Sequence, residues 1–257
     1  MINGKEIIAY LSIINEGRWD DIYQCIIKKE YPANDEEIKN TLSKLKSKYI
    51  TILDDEYPQS LKNIFKPPFV LFYHGDISLL NETNNILAIV GSRKPEPHVC
   101  GPARYIIKEV SEKLIVVSGL SYGIDCIAHE ACLSVNGKTI GVLGNGIDFI
   151  YLKSNKELYE KIKEKGLVVS EYPGFTEPQP INFPFRNRII AGLARAIFVP
   201  DIKIASGTYS TLSFAATQGK DVYVLPHPAL SNTLNNTLIK EGATLVDCSE
   251  DILEDWA

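Results

Sequence analysis

The chain has 257 residues, 45% of them hydrophobic and 23% charged, with a formal net charge of −5. That length supports a full core plus a small accessory module. The acidic balance argues against a protein that coats duplex nucleic acid through bulk positive charge, while leaving room for a local basic groove. No uncharged apolar run reaches about 18 residues, so no membrane-spanning helix is expected. The N-terminus, MINGKEIIAYLSIINEGRWDD, has no basic region followed by an apolar stretch and a small-residue cleavage site. The five cysteines are scattered without a C-x-x-C pair, which fits reduced thiols and a cytoplasmic location.

Residues 1–48 carry three helical patterns. Ile7, Ile8, Leu11 and Ile14 share one helical face; Trp19, Ile22 and Ile26 share another; Ile38, Leu42 and Leu45 share a third. Asn34 or Asp35 can cap the third helix. Residues 49–83 read as an extended connector, because Pro58, Pro67 and Pro68 forbid a continuous helix. It is expected to lay Phe65, Phe69, Leu71 and Phe72 against the main domain.

Residues 84–257 then alternate strands with helices. The runs ILAIVG, LIVVSG, TIGVLG, LVVSE, AIFVP and VYVLP are short, β-branched and uninterrupted, the pattern of strands covered on both faces. Helical patterns fall at roughly 98–113, 124–134, 154–165, 186–195, 208–218 and 234–241, and a last edge strand at 244–246. The fold class is therefore α/β: an extended Rossmann-like parallel sheet with helices on both faces, preceded by a small N-terminal helical module.

In such a sheet, ligands bind at the carboxyl ends of the strands, and there the chain places groups suited to phosphate. Gly91-Ser92-Arg93 turns out of the first of these strands, offering backbone N–H groups and a guanidinium fork; a plain turn with a surface arginine is the alternative. Ser118-Gly119 begins a loop that is not G-x-G-x-x-G, and Asp125 is expected to orient amides at the next helix start. Lys153 follows GNGIDFIYL and either joins Arg93 at the same edge or is a solvated lysine. The prolines before Phe183 predict an extended loop that delivers an aromatic ring to a helix start with Arg186, Asn187 and Arg188. Exposed rings beside arginines suit single-stranded nucleic acid, rings stacking bases while cations hold phosphates. The alternative is a core role for Phe183 and Phe185, with Arg186 in a structural ion pair. Ala205-Ser206-Gly207-Thr208 opens another helix, again favourable to an anion.

Other patterns lead nowhere chemically. Gly137-Lys138-Thr139 precedes a strand and lacks the upstream glycine of a phosphate-binding loop. Cys126, His129 and Cys132 share a helix side, but zinc would need a fourth group; buried thiols with a hydrogen-bonded histidine is the simpler reading. Asp125, Asp148, Glu171 and Asp201 sit near strand ends without the spacing of a paired acid and base. No acidic residue lies between Thr208 and Gln218. No nucleophile, metal or cofactor is called for.

IVGSR, SGLSYGIDCIAH, GNGIDFIYLK, SEYP, NFPFRNRIIAG, SGTYSTLSFA and LIKEGATLV together resemble the DNA-processing protein A family (DprA, also called Smf), in order and spacing over roughly residues 50–257. The resemblance implies a protein that binds and protects single-stranded DNA entering during natural transformation, and helps load the RecA recombinase. It implies DNA contacts at Arg93, Lys153, Phe183, Arg186 and Arg188, to which the strand-end and helix-start reading adds Gly91, Ser92, Gly119, Asn187, Ser206 and Gly207. It also implies a homodimer through the stretch holding Leu238, Ile239, Leu245 and Val246. The helical start looks like a shortened form of the family's SAM-like module, and the winged helix of many members is not expected. Tyr122, Leu152, His227 and Asn235-Asn236 depart from the family pattern. The competing reading is a nucleotide-processing or nucleotide-sensing protein of the phosphoribohydrolase kind, motivated by the Ser206-Gly207-Thr208 helix start.

Overall fold

The computed structural model describes residues 2–31, 33–204 and 206–256. The chain opens with helices α1 (Gly4–Ile14), α2 (Trp19–Lys28) and α3 (Asp35–Ser43). Asn3 and Glu6 form a reciprocal capping box on α1, and Asn34 caps α3 through the Glu37 amide. Tyr10, Leu11, Ile22 and Ile38 make a core too small to stand alone. Trp19 docks it on the rest of the molecule, stacking on Phe69 at 5.0 Å and donating to the Pro67 carbonyl.

The remaining elements are β1 (Lys48–Thr51), α4 (Gln59–Lys62), β2 (Val70–Gly75), β3 (Ile86–Ile89), α5 (Pro97–Val110), β4 (Ile115–Ser118), α6 (Ile124–Ser134) and β5 (Thr139–Leu143). After these come α7 (Lys156–Lys165), β6 (Leu167–Ser170), α8 (Asn182–Leu193), β7 (Ala196–Val199), α9 (Thr208–Thr217), β8 (Asp221–Val224), α10 (Asn235–Lys240), β9 (Thr244–Leu245) and α11 (Glu250–Leu253). They build a sheet ordered β1-β2-β6-β5-β4-β3-β7-β8-β9. β3 to β9 run parallel, and β1 and β2 add antiparallel strands beyond β6. The stretch expected as a connector thus supplies two strands of the sheet. Its VLFYH run pairs Phe72 with Ser170 and Tyr73 with Val169. Phe72 and Leu71 are buried as expected, but Phe65 is exposed.

Side chains alternate across each strand. Ala88, Val117, Val142 and Ile197 face a core shared with Ile189, Ile190 and Leu193 of α8. Leu87, Ile89, Val116 and Phe198 face the opposite core, with Val99 and Ile106 of α5 and Ala128 of α6. Each of the Val, Leu, Ile and Phe side chains removed from water stabilises by about 1.5–3 kcal/mol. Among the described residues, no helix is long and apolar enough to cross a membrane.

The sheet is wound in both directions from β3. The chain steps through β4, β5 and β6 on one side, then returns to β7 on the other. The loops leaving β3 and β7 therefore diverge, and a crevice opens between their carboxyl ends.

Candidate functional site

That crevice is a cleft of about 1660 Å³, including its open mouth. Gly91 and Ser92 form its floor at the end of β3. The Ser92 amide donates to the Asp201 carbonyl at 2.8 Å, and the Ser92 carbonyl accepts from the Ile124 amide at 3.1 Å. The turn is thereby clamped between the exit of β7 and the start of α6. Gly123 is required for this approach: its φ is +74°, and a Cβ there would lie 2.2 Å from the Ser92 carbonyl oxygen. Clamped this way, Arg93 and Lys94 are held exposed at the cleft wall.

The opposite wall is the start of α8. The helix begins at Asn182, so Phe183, Pro184 and Phe185 lie in its first turn and not in an extended loop. Pro184 is tolerated because a first-turn amide has no helical partner. The Phe183 ring packs against Tyr151 at 5.2 Å between centroids, and the Arg93 guanidinium lies 6.0 Å from the same ring. Three segments far apart in sequence thus present one cation and two rings together. Beside the cleft, a narrower recess of about 580 Å³ shares Arg93, Tyr151 and Phe183 and adds Leu120 and Tyr122.

Arg186 lies at the base of the cleft, 4% exposed. It donates to the carbonyls of Gly119 and Val142 and to Asn187 Oδ1. Gly119 must be glycine, since a Cβ would sit 2.6 Å from Arg186 Nη2 and 2.7 Å from Asp125 Oδ2. Burial pushes the Arg186 guanidinium down to about 10, opposed by the nearby Asp125 carboxylate, so it stays charged at neutral pH. Burial likewise raises Asp125, opposed first by Arg186. Asp125 accepts from the Ser121 amide at 3.2 Å, as expected of a residue that orients the loop. Asn187 ties α8 to the start of α9, donating to Ser210 Oγ at 2.7 Å and to the Gly207 carbonyl at 3.3 Å. At the start of α9, Ser206 Oγ accepts from the Thr208 amide, and Gly207 is exposed. Ala205 lies outside the described residues.

Lys153 is exposed at the outer end of the loop whose Tyr151 and Leu152 line the recess. Lys153 itself lines neither the recess nor the cleft.

Arg188 corrects the expectation for its position. It is fully buried, with its Nη1 and Nη2 donating to the two carboxylate oxygens of Glu171 at 2.7 and 2.6 Å and its Nε to the Lys66 carbonyl. The guanidinium also stacks 3.7 Å from the Phe185 ring centroid. Residues two apart on a helix point about 200° apart, so Arg186 and Arg188 cannot share a face. The structural ion pair weighed for Arg186 belongs to Arg188. Val246 is also corrected, because it is fully enclosed in the core. Leu238 and Ile239 are half-buried against the sheet, whereas Leu245 is 44% exposed on the edge strand β9.

His129 is buried and bonded to Thr139 Oγ1 at 2.7 Å, and burial pushes it down to about 3. This fits the reading of a hydrogen-bonded core histidine. Lys94 and Tyr151 were missed as cleft residues. Their signal was proximity: Lys94 adjoins Arg93, and Tyr151 sits two residues before Lys153.

Comparison with known proteins follows this geometry. The family described as DNA recombination-mediator protein A matches residues 48–257. DNA processing protein DprA of Streptococcus pneumoniae is 38% identical over 232 residues, 90% of this chain and 81% of its own length. DprA of Bacillus subtilis is 37% identical over 209 residues, covering 80% and 70%. The X-ray structure of the S. pneumoniae protein superposes with a TM-score of 0.86 at 32% identity over 99% of both chains. DNA processing protein A from Helicobacter pylori, solved for its single-stranded DNA binding mode, gives a TM-score of 0.73 at 27% identity, covering 83% of this chain and 97% of its own. This chain belongs to the DNA recombination-mediator protein A family.

Proposed function

We propose that this chain binds single-stranded DNA along the carboxyl edge of its sheet and acts as a recombination mediator without catalysing a reaction. The observation that carries this reading is the convergence of Arg93, Phe183 and Tyr151 on one open cleft, with Lys94 on its wall and Lys153 exposed two residues beyond Tyr151. Rings stack bases without reading them, and the cations and the α9 start take phosphates. The related H. pylori protein was studied for the same ligand class. In this reading Arg93, Ser92, Gly91, Lys153, Phe183, Asn187, Ser206 and Gly207 touch the strand. Arg186 and Gly119 shape the base of the cleft, and Arg188 supports the helix from inside. The bound strand is protected and passed to the RecA recombinase in natural transformation, in the cytoplasm. Two copies pair through the open edge at β9, with Leu245 in the contact.

Gel shifts with single- and double-stranded oligonucleotides of mixed sequence test the proposal. Wild type prefers single strands, with a log–log salt slope near −3, as expected for about four to five phosphate contacts. Arg93→Ala combined with Lys153→Ala weakens all sequences alike, by about tenfold or more. Unchanged binding by the double variant, or release of free base from nucleoside monophosphates, rejects the reading in favour of a nucleotide-processing protein.

A further inference from the structure

A second groove of about 1540 Å³ lies between the N-terminal helices and the segment joining β6 to α8. It is separated from the cleft by one ridge, residues 178–183. Pro178, Pro180 and Phe183 line the cleft, whereas Gln179, Ile181 and Asn182 line the groove. Neighbouring residues of this one strip face both ways, so cleft and groove are its two flanks.

The groove holds two large apolar side chains in water: Phe175 is 62% exposed and Ile181 77%. Phe175 is held on a fixed turn. The Gly146 and Asp148 amides donate to the Thr176 and Gly174 carbonyls at 2.8 and 2.9 Å, tying this turn to the loop that carries Tyr151. Lys44 lines the groove, and Lys46 Nζ lies 5.3 Å over the Phe175 ring. Arg18 is already occupied by Glu16 and Asp21, so these lysines supply the usable charge, opposed by Glu177.

The geometry points to a second strand-binding segment: single-stranded DNA leaving the cleft crosses the ridge and stacks a base on Phe175, with its backbone on Lys44 and Lys46. This rests on the reading of the cleft and extends it to the N-terminal module. A ring flanked by lysines, continuous with an aromatic and cationic cleft, matches the same polyanion. It also assigns the helical module a role in setting the length of strand bound.

Fluorescence anisotropy on the full chain tests this with oligothymidylates of about six and about twenty nucleotides, a range that brackets one site. Phe175→Ala is expected to weaken the long oligonucleotide about five- to tenfold and to leave the short one unchanged. Lys44→Glu with Lys46→Glu does the same and flattens the salt slope for the long strand by about 1–2. Glu177→Gln tightens the long strand only. Equal effects on both lengths, or no effect on the long strand, overturn the second segment. Arg93→Ala separates the two ideas: if it leaves both lengths unaffected, the cleft reading itself has failed, whatever Phe175 does.

Discussion

Two arginine-bearing regions of the molecule put the same side chain to opposite uses. At the cleft wall, Arg93 is exposed beside the face of Phe183. Inside α8, Arg188 is sealed with both carboxylate oxygens of Glu171 against the Phe185 ring. Both face aromatic rings, and both come from segments dense in polar and glycine residues. The difference is what surrounds them. Water leaves the first free to exchange its partners for a phosphate, whereas the interior fixes the second in one arrangement. A basic motif is therefore not a binding motif until the direction of each side chain is known.

The largest effect that tests this contrast is on stability. Arg188→Ala leaves Glu171 buried without its counter-charge and is expected to cost about 3–5 kcal/mol in urea unfolding. Replacing both partners by apolar residues of similar volume recovers most of that loss. A cost below about 1 kcal/mol for the single variant would mean that the pair is solvated and the contrast is false.

A second effect comes from acid. His129 titrates near 3 in the folded chain against 6.5 ordinarily. Below pH 6.5 the unfolded chain therefore takes up a proton that the folded chain refuses. The stability this group supports is intact above pH 6.5 and declines as pH falls toward the folded value, by about 1.4 kcal/mol per pH unit. Melting curves of wild type and His129→Gln should diverge over that window; parallel curves would place the imidazole in contact with water.

The smallest effect is the sharpest for the comparison. Arg93→Ala should change unfolding stability by less than about 0.5 kcal/mol, while weakening strand binding if the proposed function holds. A large destabilisation would make Arg93 a second structural arginine and erase the distinction between the regions.

The parallel half of the sheet was legible because strands buried on both faces leave unbroken apolar runs, and α6 was framed by Gly123 before it. β1 and β2 were harder: the prolines between them, Pro58, Pro67 and Pro68, outweighed VLFYH, whose partner, β6, lies about a hundred residues away. The start of α8 was obscured by Pro178, Pro180 and Pro184, although proline is allowed in a first helical turn. At the site, Gly-Ser-Arg was readable from its strand-end position, and Phe183 from its place beside arginines at a helix start. The helical angle between positions 186 and 188 already forbids the two arginines from sharing a face, but it does not show that both are buried. Its partner Glu171, by contrast, was visible only in three dimensions. Lys153 lies on the loop that brings Tyr151 to the cleft, but it lines neither cavity itself.

The meeting of Arg93, Tyr151 and Phe183 joins stretches some thirty to ninety residues apart, each held by a different strand or helix of the sheet. No contiguous piece of the chain carries the assembled surface, and contacts this remote form late when a polypeptide acquires its structure. A fragment carrying only one of these stretches therefore holds its own cation or ring but not the shared geometry, so the strand capture proposed above would depend on the whole sheet being assembled.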